Sequence, residues 1–233
     1  MQTKQCNLLS STIVLRDHPT DASILHEIVH NDEYSLYPIS MQHEHLSGWV
    51  VDCGAHAGVF TSLCATLWPD ANILCAEPHP ENWELLSNNV AQFPKVRAYN
   101  CALGNKTGAV HLADQVTTNT GGSSVTEFRS VTGQSSDAPL IEVQAKKLSS
   151  LIGRHQIKEI SILKLDCEGS EFAIIDDLSK NKLLHKVCWI RGEYHIGDSL
   201  DPLNRMLHQL HYTHEMSVTA PINGLGFFAG HRK

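Results

Sequence analysis

The chain reads as an α/β protein, a mostly parallel sheet with helices on both faces. Three observations point there. Short apolar runs that suit doubly buried strands recur at Val50–Val51, at 72–76 (NILCA) and at 160–165 (ISILKL). Amphipathic stretches that suit helices alternate with them, at 59–67, 81–89 and 170–178. Turn formers stand where the runs end, Gly54 after the first and Pro78 after the second.

The elements follow in order. Residues 1–47 precede the first strand, and Ile24, Leu25, Ile28 and Val29 recur at helical spacing. They predict a small N-terminal helical cap ahead of a main domain over 48–233. The first strand ends at Asp52, and Gly54 and Gly58 follow before a helix over 59–67. The second strand ends in Glu77-Pro78-His79-Pro80, and Pro80 suits the first position of the helix that carries Trp83, Leu85 and Leu86. A third strand covers 96–100. Extra strands at 110–113 and 141–145 flank a stretch rich in Thr, Ser and Gly, 114–139, which is too long for a plain connection and predicts a functional loop or lid. A short helix at 148–154, the strand at 160–165, a helix at 170–178, a strand at 187–192 and a helix at 202–210 continue the alternation. Residues 212–218 and 226–229 read as a terminal hairpin, and no internal repeat is visible.

Strand, acid, glycine turn and helix are the parts of a nucleotide pocket, with helix N–H groups open to a ligand. The spacing is D-x-G-x-x-x-G and lacks the G-x-G-x-x-G of dinucleotide sites. A carboxylate at the strand tip repels a pyrophosphate and attracts a cationic ligand end, such as the aminoacyl end of S-adenosylmethionine (SAM). Glu77 lies about twenty residues past the glycine turn, where an acid binds ribose hydroxyls. Ala102 and Leu103 are small and apolar enough to face an adenine ring. Residues 120–124 (TGGSS), Ser124 among them, can bring hydroxyls and N–H groups to the same place.

A second group carries the chemistry. Lys164, Asp166 and Glu168 alternate along the end of one strand, and Glu193 and His195 end the next. Glu171 reads as a helix-start carboxylate. His195 or Asp166 is the expected base, with Lys164 orienting a carboxylate. Asp166, Glu168, Glu193 and His195 are also of the type that binds Mg²⁺ or Mn²⁺, but no spacing demands a metal and none is assigned. His26 with His30, His43 with His45, and His208, His211 and His214 read as solvated faces.

The DCGAHAG turn, the EPHP tetrad, Cys101-Ala102-Leu103-Gly104, Gly122-Ser123-Ser124 and the octad Lys164–Glu171 (KLDCEGSE) occur in that order. Together, over roughly 25–215, they resemble the FkbM family of SAM-dependent methyltransferases. His56 departs from the pattern, which usually has Asn there; it donates a hydrogen bond as Asn does but can also titrate. The resemblance implies a Rossmann-like class I methyltransferase fold with a seven-stranded sheet. It implies SAM held by Asp52, Gly54, Ala55, His56, Gly58, Glu77, Pro78, Ala102, Leu103 and Ser124. The chemistry falls to Asp166, His195, Lys164 and Glu168. The activity it implies is O-methylation of a small polar metabolite, sugar or natural-product intermediate. N-methylation of an amine or guanidine stays open, as does an NAD-dependent oxidoreductase, against which Asp52 and the missing third glycine count.

Composition fits this reading. A chain of 233 residues with 42% hydrophobic content supports a substantial core. The net charge of −7 and the lack of a basic run argue against nucleic acid as a partner. No apolar run spans a membrane and the N-terminus lacks an apolar signal segment. The seven cysteines form no CxxC pair, and Cys53, Cys75, Cys101, Cys167 and Cys188, in or beside apolar strands, read as small buried thiols of a reducing compartment, hence a cytoplasmic protein. The expected partner is a small-molecule acceptor, and a homodimer is left open.

Overall fold

The computed structural model describes residues 2–114, 119–126, 139–197 and 199–233. Its central strands are β3 (Trp49–Cys53), β4 (Ile73–Ala76), β5 (Val96–Tyr99), β10 (Ile160–Leu165), β11 (Val187–His195), β12 (His214–Val218) and β13 (Leu225–Arg232). They form one sheet in the order β12-β13-β11-β10-β3-β4-β5. Only β13 runs against the others, so the sheet is mixed but mostly parallel. The chain order reverses between β3 and β10, and ligands of open α/β sheets bind in the crevice beyond the strand ends at such a point.

The apolar runs are strands because both faces of the sheet are covered. Val50, Ile73 and Ile162 pack with α3 (Val59–Leu67) and the N-terminal segment. Val51, Leu74 and Leu163 pack on the opposite face with α5 (Leu148–Arg154), α6 (Glu171–Lys180) and α7 (Asp201–His211). Helix α4 (Pro80–Val90) starts at Pro80, as its fixed φ favours, and the His79 ring accepts from the Glu81 N–H at 3.3 Å.

The N-terminal segment differs from the expected helical cap. It opens with an antiparallel hairpin, β1 (Thr3–Leu8) and β2 (Ser11–Arg16), before α1 (Pro19–Leu25), a π-helical turn at His26–His30 and α2 (Leu36–Gln42). The periodicity of Ile24–Val29 predicts only the later part. Thr12, Ile13 and Val14 are β-branched and favour the strand. The hairpin is fastened to α4: the Asn89 side chain accepts from the Val14 N–H at 2.7 Å and donates to the Val14 and Ala57 carbonyls at 2.8 Å. Leu8, Ile13 and Leu15 share one core with Phe60 and Leu63.

A second, four-stranded sheet holds β6 (Ala102–Gly104), β7 (Gly108–Ala113), β8 (Ser124–Val125) and β9 (Leu140–Lys147), in the order β6-β9-β7-β8. The strands expected at 110–113 and 141–145 are β7 and β9. Most of the polar stretch expected to act as a lid lies outside the described residues; 114, 119–126 and 139 are the part described. One histidine expectation is corrected: His214 is 1% exposed and its Nε2 donates to the Val187 carbonyl at 3.0 Å. All seven cysteines are free, with Cys6, Cys167 and Cys188 only partly buried. Among the described residues no helix is long and apolar enough to cross a membrane.

Candidate active site

A cavity of about 400 Å³ opens at the ends of β3, β4 and β10, within the usual size range of a small-molecule site. Gly54 lines its floor at φ +77°, and a Cβ there would stand 1.8 Å from the Asp166 carbonyl oxygen. The left-handed turn and the close crossing of the β10 end both require glycine.

One half of the cavity is built by Glu77 and the second sheet. Glu77 Oε2 accepts from the His56 N–H at 2.9 Å, and Oε1 accepts from the His79 N–H at 2.9 Å and from Asn82 Nδ2 at 3.3 Å. Burial raises its pKa, while the bonds from His79 and His56 act to lower it. Ala102, Leu103, Leu112 and Val125 give this half an apolar wall.

The other half is charged. Lys164 is buried in β10 with its Nζ donating to the Gly54 carbonyl at 2.8 Å. The same Nζ stands 3.4 Å from Asp52 Oδ1 and 3.3 Å from Asp166 Oδ2. Burial opposes its charge, but Asp166 and Asp52 outweigh burial and hold the ammonium well above the ordinary lysine range. Burial likewise opposes ionisation of Asp166, yet Lys164 and His195 hold it below the carboxylate range. Tyr34 donates its hydroxyl to Asp166 Oδ2 at 3.1 Å, and Thr61 donates to Asp52 Oδ2 at 2.6 Å.

Around the mouth stand Glu33, Glu168, Glu193 and His195. Burial pushes Glu193 up to about 9, with repulsion from Asp166 and Glu33 adding to it. Burial raises Glu33 to about 7, helped by Glu27 and Asp166. Burial also raises Glu168 to about 7, against the pull of His195. His195 goes the other way: burial would lower it, but Glu171, Glu168 and Asp166 outweigh burial and raise it to about 10. Its Nε2 lies 3.5 Å from Glu168 and its Nδ1 lies 3.6 Å from Glu171. Glu171 accepts from the Cys167 N–H at 2.7 Å and the Gly169 N–H at 3.0 Å, so it braces the turn that holds Glu168 at φ +51°.

A buried network ties the N-terminal segment to the glycine turn. Arg16 Nε donates to Asp21 Oδ2 at 3.2 Å, and Thr120 donates to Asp21 Oδ1 at 2.6 Å. Arg16 Nη2 donates to His56 Nε2 at 2.7 Å. Burial lowers His56 to about 4 and Arg16 adds to this, so the ring is neutral with its proton on Nδ1.

The sequence-predicted residues divide. Gly54, Ala55, His56, Glu77, Pro78, Ala102, Leu103, Lys164, Asp166, Glu168 and His195 all line the one cavity. Asp52, Gly58 and Ser124 do not. Asp52 is fully buried behind the wall as partner to Lys164 and Thr61. Gly58 caps α3 at φ +87°, a left-handed turn that favours glycine, and a Cβ there would also meet Leu86 Cδ1 at 2.8 Å, so its need for glycine comes from the cap and the α3–α4 packing. Ser124 is buried in β8, paired with Ala113, and its neighbours Ser123 and Val125 line the cavity instead. Sequence reasoning missed Glu33, Tyr34 and Phe60. The only sequence signal for the first two is a polar break, NDEYS, between helical stretches.

The model of the methyltransferase FkbM domain matches residues 52–213. The chain belongs to the FkbM methyltransferase family. Methyltransferase 1 of Beauveria bassiana (strain ARSEF 2860) is 24% identical over 172 residues, 65% of this chain and 69% of that protein. Methyltransferase sdnD of Sordaria araneosa is 26% identical over 165 residues, covering 54% of this chain and 59% of the relative's length. Among solved structures, a SAM-dependent methyltransferase from Agrobacterium tumefaciens aligns with all of this chain and 70% of its own at a TM-score of 0.57 and 8% identity. The METTL16 methyltransferase domain aligns with 88% of this chain and 67% of its own at a TM-score of 0.51 and 11% identity. These likenesses establish the class I methyltransferase fold.

The family implies SAM as methyl donor, and this FkbM domain has the chemistry to hold it. Glu77 lines the cavity as an acceptor for hydroxyls, its carboxylate fixed by two backbone N–H groups. The apolar wall of Ala102 and Leu103 suits an aromatic base. The carboxylates beyond Gly54 suit a cationic sulfonium and ammonium. Among the described residues no three His, Cys, Asp or Glu side chains are grouped as a metal site requires.

Proposed function

We propose that this FkbM-family enzyme transfers the methyl group of SAM to a hydroxyl oxygen of a small polar acceptor. The observation that carries the reading is the single cavity that joins the Glu77 half to the Lys164–Asp166–Glu168 half. Bound SAM supplies a methyl group already activated by its sulfonium. The chain's part is to bind, to orient and to take one proton. Glu77 and the Ala102–Leu103 wall hold the nucleoside end. Lys164 is locked between Asp52 and Asp166 and keeps Asp166 ionised, which supports a role in orientation rather than proton transfer.

The proton acceptor in this reading is Glu168. His195 and Asp166 are the bases that residue type alone favours. His195 is held protonated up to about 10 and has no free lone pair at neutral pH. Asp166, held below the ordinary range, is too weak a base. Glu168, raised to about 7 and lining the cavity, matches the operating pH, where general bases work best. His195⁺ beside it stabilises the carboxylate before transfer.

Calorimetry tests the reading. SAM and S-adenosylhomocysteine should bind, NADH should not, and Glu77→Gln should weaken SAM about ten- to hundred-fold, the cost of a lost charged hydrogen-bond partner. Labelled SAM with fractionated extract then identifies the acceptor, and NMR of the labelled methyl carbon separates oxygen from nitrogen. NADH binding without SAM binding would overturn the assignment, and a methyl on nitrogen would overturn its O-methyl part.

A further inference from the structure

A second cleft lies behind the mouth. Glu33 and Tyr34 form a wall common to it and to the main cavity; on its far side are Arg191, Ser35, Ser217 and Phe227. Its volume is about 100 Å³, enough for one carboxylate or phosphate group and too small for a nucleotide.

Arg191 stands in β11 beside Lys164, in the same row across the sheet as Asp52. Lys164 has two carboxylates, but Arg191 has none within ion-pair distance among the described residues. Its Nη1 donates to the Ile190 carbonyl at 2.9 Å and the Gly230 carbonyl at 3.1 Å. Nε is buried without a partner, and Nη2 has no partner among the described residues. Asp32 is the nearest acid by charge, but its carboxylate is turned to α2, accepting from the Leu36 N–H at 2.6 Å and the Tyr37 N–H at 3.2 Å. Nε–H and the adjacent Nη2–H form the side edge of the guanidinium, the parallel pair of donors that binds a carboxylate or phosphate bidentately. The backbone carbonyls fix the Nη1 end and hold that edge in place. The Nε–H, buried without an acceptor, is costly to leave so, and an anion that enters beside Nη2 supplies one.

We infer that this cleft is an anion subsite, in which the Nε/Nη2 edge of Arg191 holds a carboxylate or phosphate group carried by the methyl acceptor. The assignment to the acceptor rests on the methyltransferase reading and on the shared Glu33–Tyr34 wall, which puts the anion next to the reacting mouth. The hydroxyls of Ser35 and Ser217 border the same cleft and can donate to the remaining oxygens. Glu33 and Glu193, both raised by burial, are mostly or partly protonated near neutrality and so repel an anionic acceptor less than ordinary carboxylates do.

The test uses inorganic phosphate as probe on the full chain with S-adenosylhomocysteine bound, followed by ³¹P NMR titration. Wild type should bind phosphate saturably. Arg191→Gln should weaken that binding at least ten-fold, and Arg191→Lys, which keeps charge but loses the fork, should fall between. Affinity for S-adenosylhomocysteine, read by calorimetry, should stay within two-fold in both variants. Equal phosphate binding by wild type and Arg191→Gln, or none by wild type, overturns the subsite. With the acceptor identified from extract, phosphate should raise its KM and leave kcat unchanged. A fall in kcat at saturating acceptor would mark a free regulatory anion and overturn the assignment to the acceptor. S-adenosylhomocysteine binding by wild type is the separate readout on which the methyltransferase reading stands or falls.

Discussion

Lys164→Met should damage stability more than any other single change in the site. The Nζ lies 3.4 Å from Asp52 and 3.3 Å from Asp166; Lys164 and Asp52 are buried, and the Asp166 side chain is 29% exposed. At an effective dielectric of about 20, each contact amounts to roughly 5 kcal/mol of gross attraction. Desolvation of the ammonium cancels much of this, and removing one partner of a buried pair costs about 3–5 kcal/mol. Methionine fills the volume but leaves two carboxylates facing each other without a cation. For a chain of this length the melting temperature should fall by roughly 6–20 °C. The pH dependence gives a second check. Asp166 is depressed in the folded state, so its contribution is present above the unfolded carboxylate pKa of about 3.9 and is lost as pH falls through the folded value. Lys164 is raised, so its contribution is full below the unfolded lysine pKa of about 10.4 and is lost only as pH rises through the folded value. The difference between wild type and variant should therefore be largest above neutral pH and shrink in acid, as Asp166, left without its cation in the variant, takes up a proton. Urea unfolding at pH 3, 7 and 9 measures it. A loss below about 1 kcal/mol at pH 7, or one that grows in acid, refutes the argument.

Three further outcomes are expected. Glu168→Gln should reduce kcat about 10²-fold and leave SAM affinity within a few-fold; the wild-type rate should rise through about pH 7 as Glu168 ionises. A pH–rate profile that keeps this limb in the variant would assign the base elsewhere. Gly54→Ala should fail to fold, because its Cβ meets backbone at 1.8 Å, whereas Gly58→Ala meets only the tip of Leu86 at 2.8 Å and should fold with a lower melting temperature. Equal expression and melting of the two would contradict the packing argument. Glu193 is raised to about 9, so its contribution is complete below the unfolded pKa of about 4.3 and is lost as pH rises toward 9. Melting of the ligand-free protein should fall over that window, and Glu193→Gln should flatten the slope.

Much of the fold is legible in the chain because its signals are local. Doubly buried strands must be apolar throughout, so Val50–Val51, NILCA and ISILKL announce themselves. Pro80, the glycine turn and the KLDCEGSE octad mark where strand ends give way to helices. Eleven of the fourteen residues assigned from sequence line one cavity because strand ends in a parallel sheet converge whatever their sequence separation. The N-terminal hairpin escapes because its short strands carry no clear alternation, and its place is fixed by Asn89, more than seventy residues away.

What the sequence determined by itself is therefore the sheet, the family and the residue types at the strand ends. Which of those residues face the ligand was decided only by tertiary structure. Asp52 turns inward because Lys164, 112 positions later, lies next to it in register. Gly58 answers to its left-handed turn and to Leu86 rather than to a ligand. His195 becomes a fixed cation because three carboxylates surround it, and Arg191 keeps an open fork because Asp32 is occupied by α2. The physical reason is common to all four: charge state and orientation depend on burial and on neighbours across strands, and neither is written in the spacing of a motif.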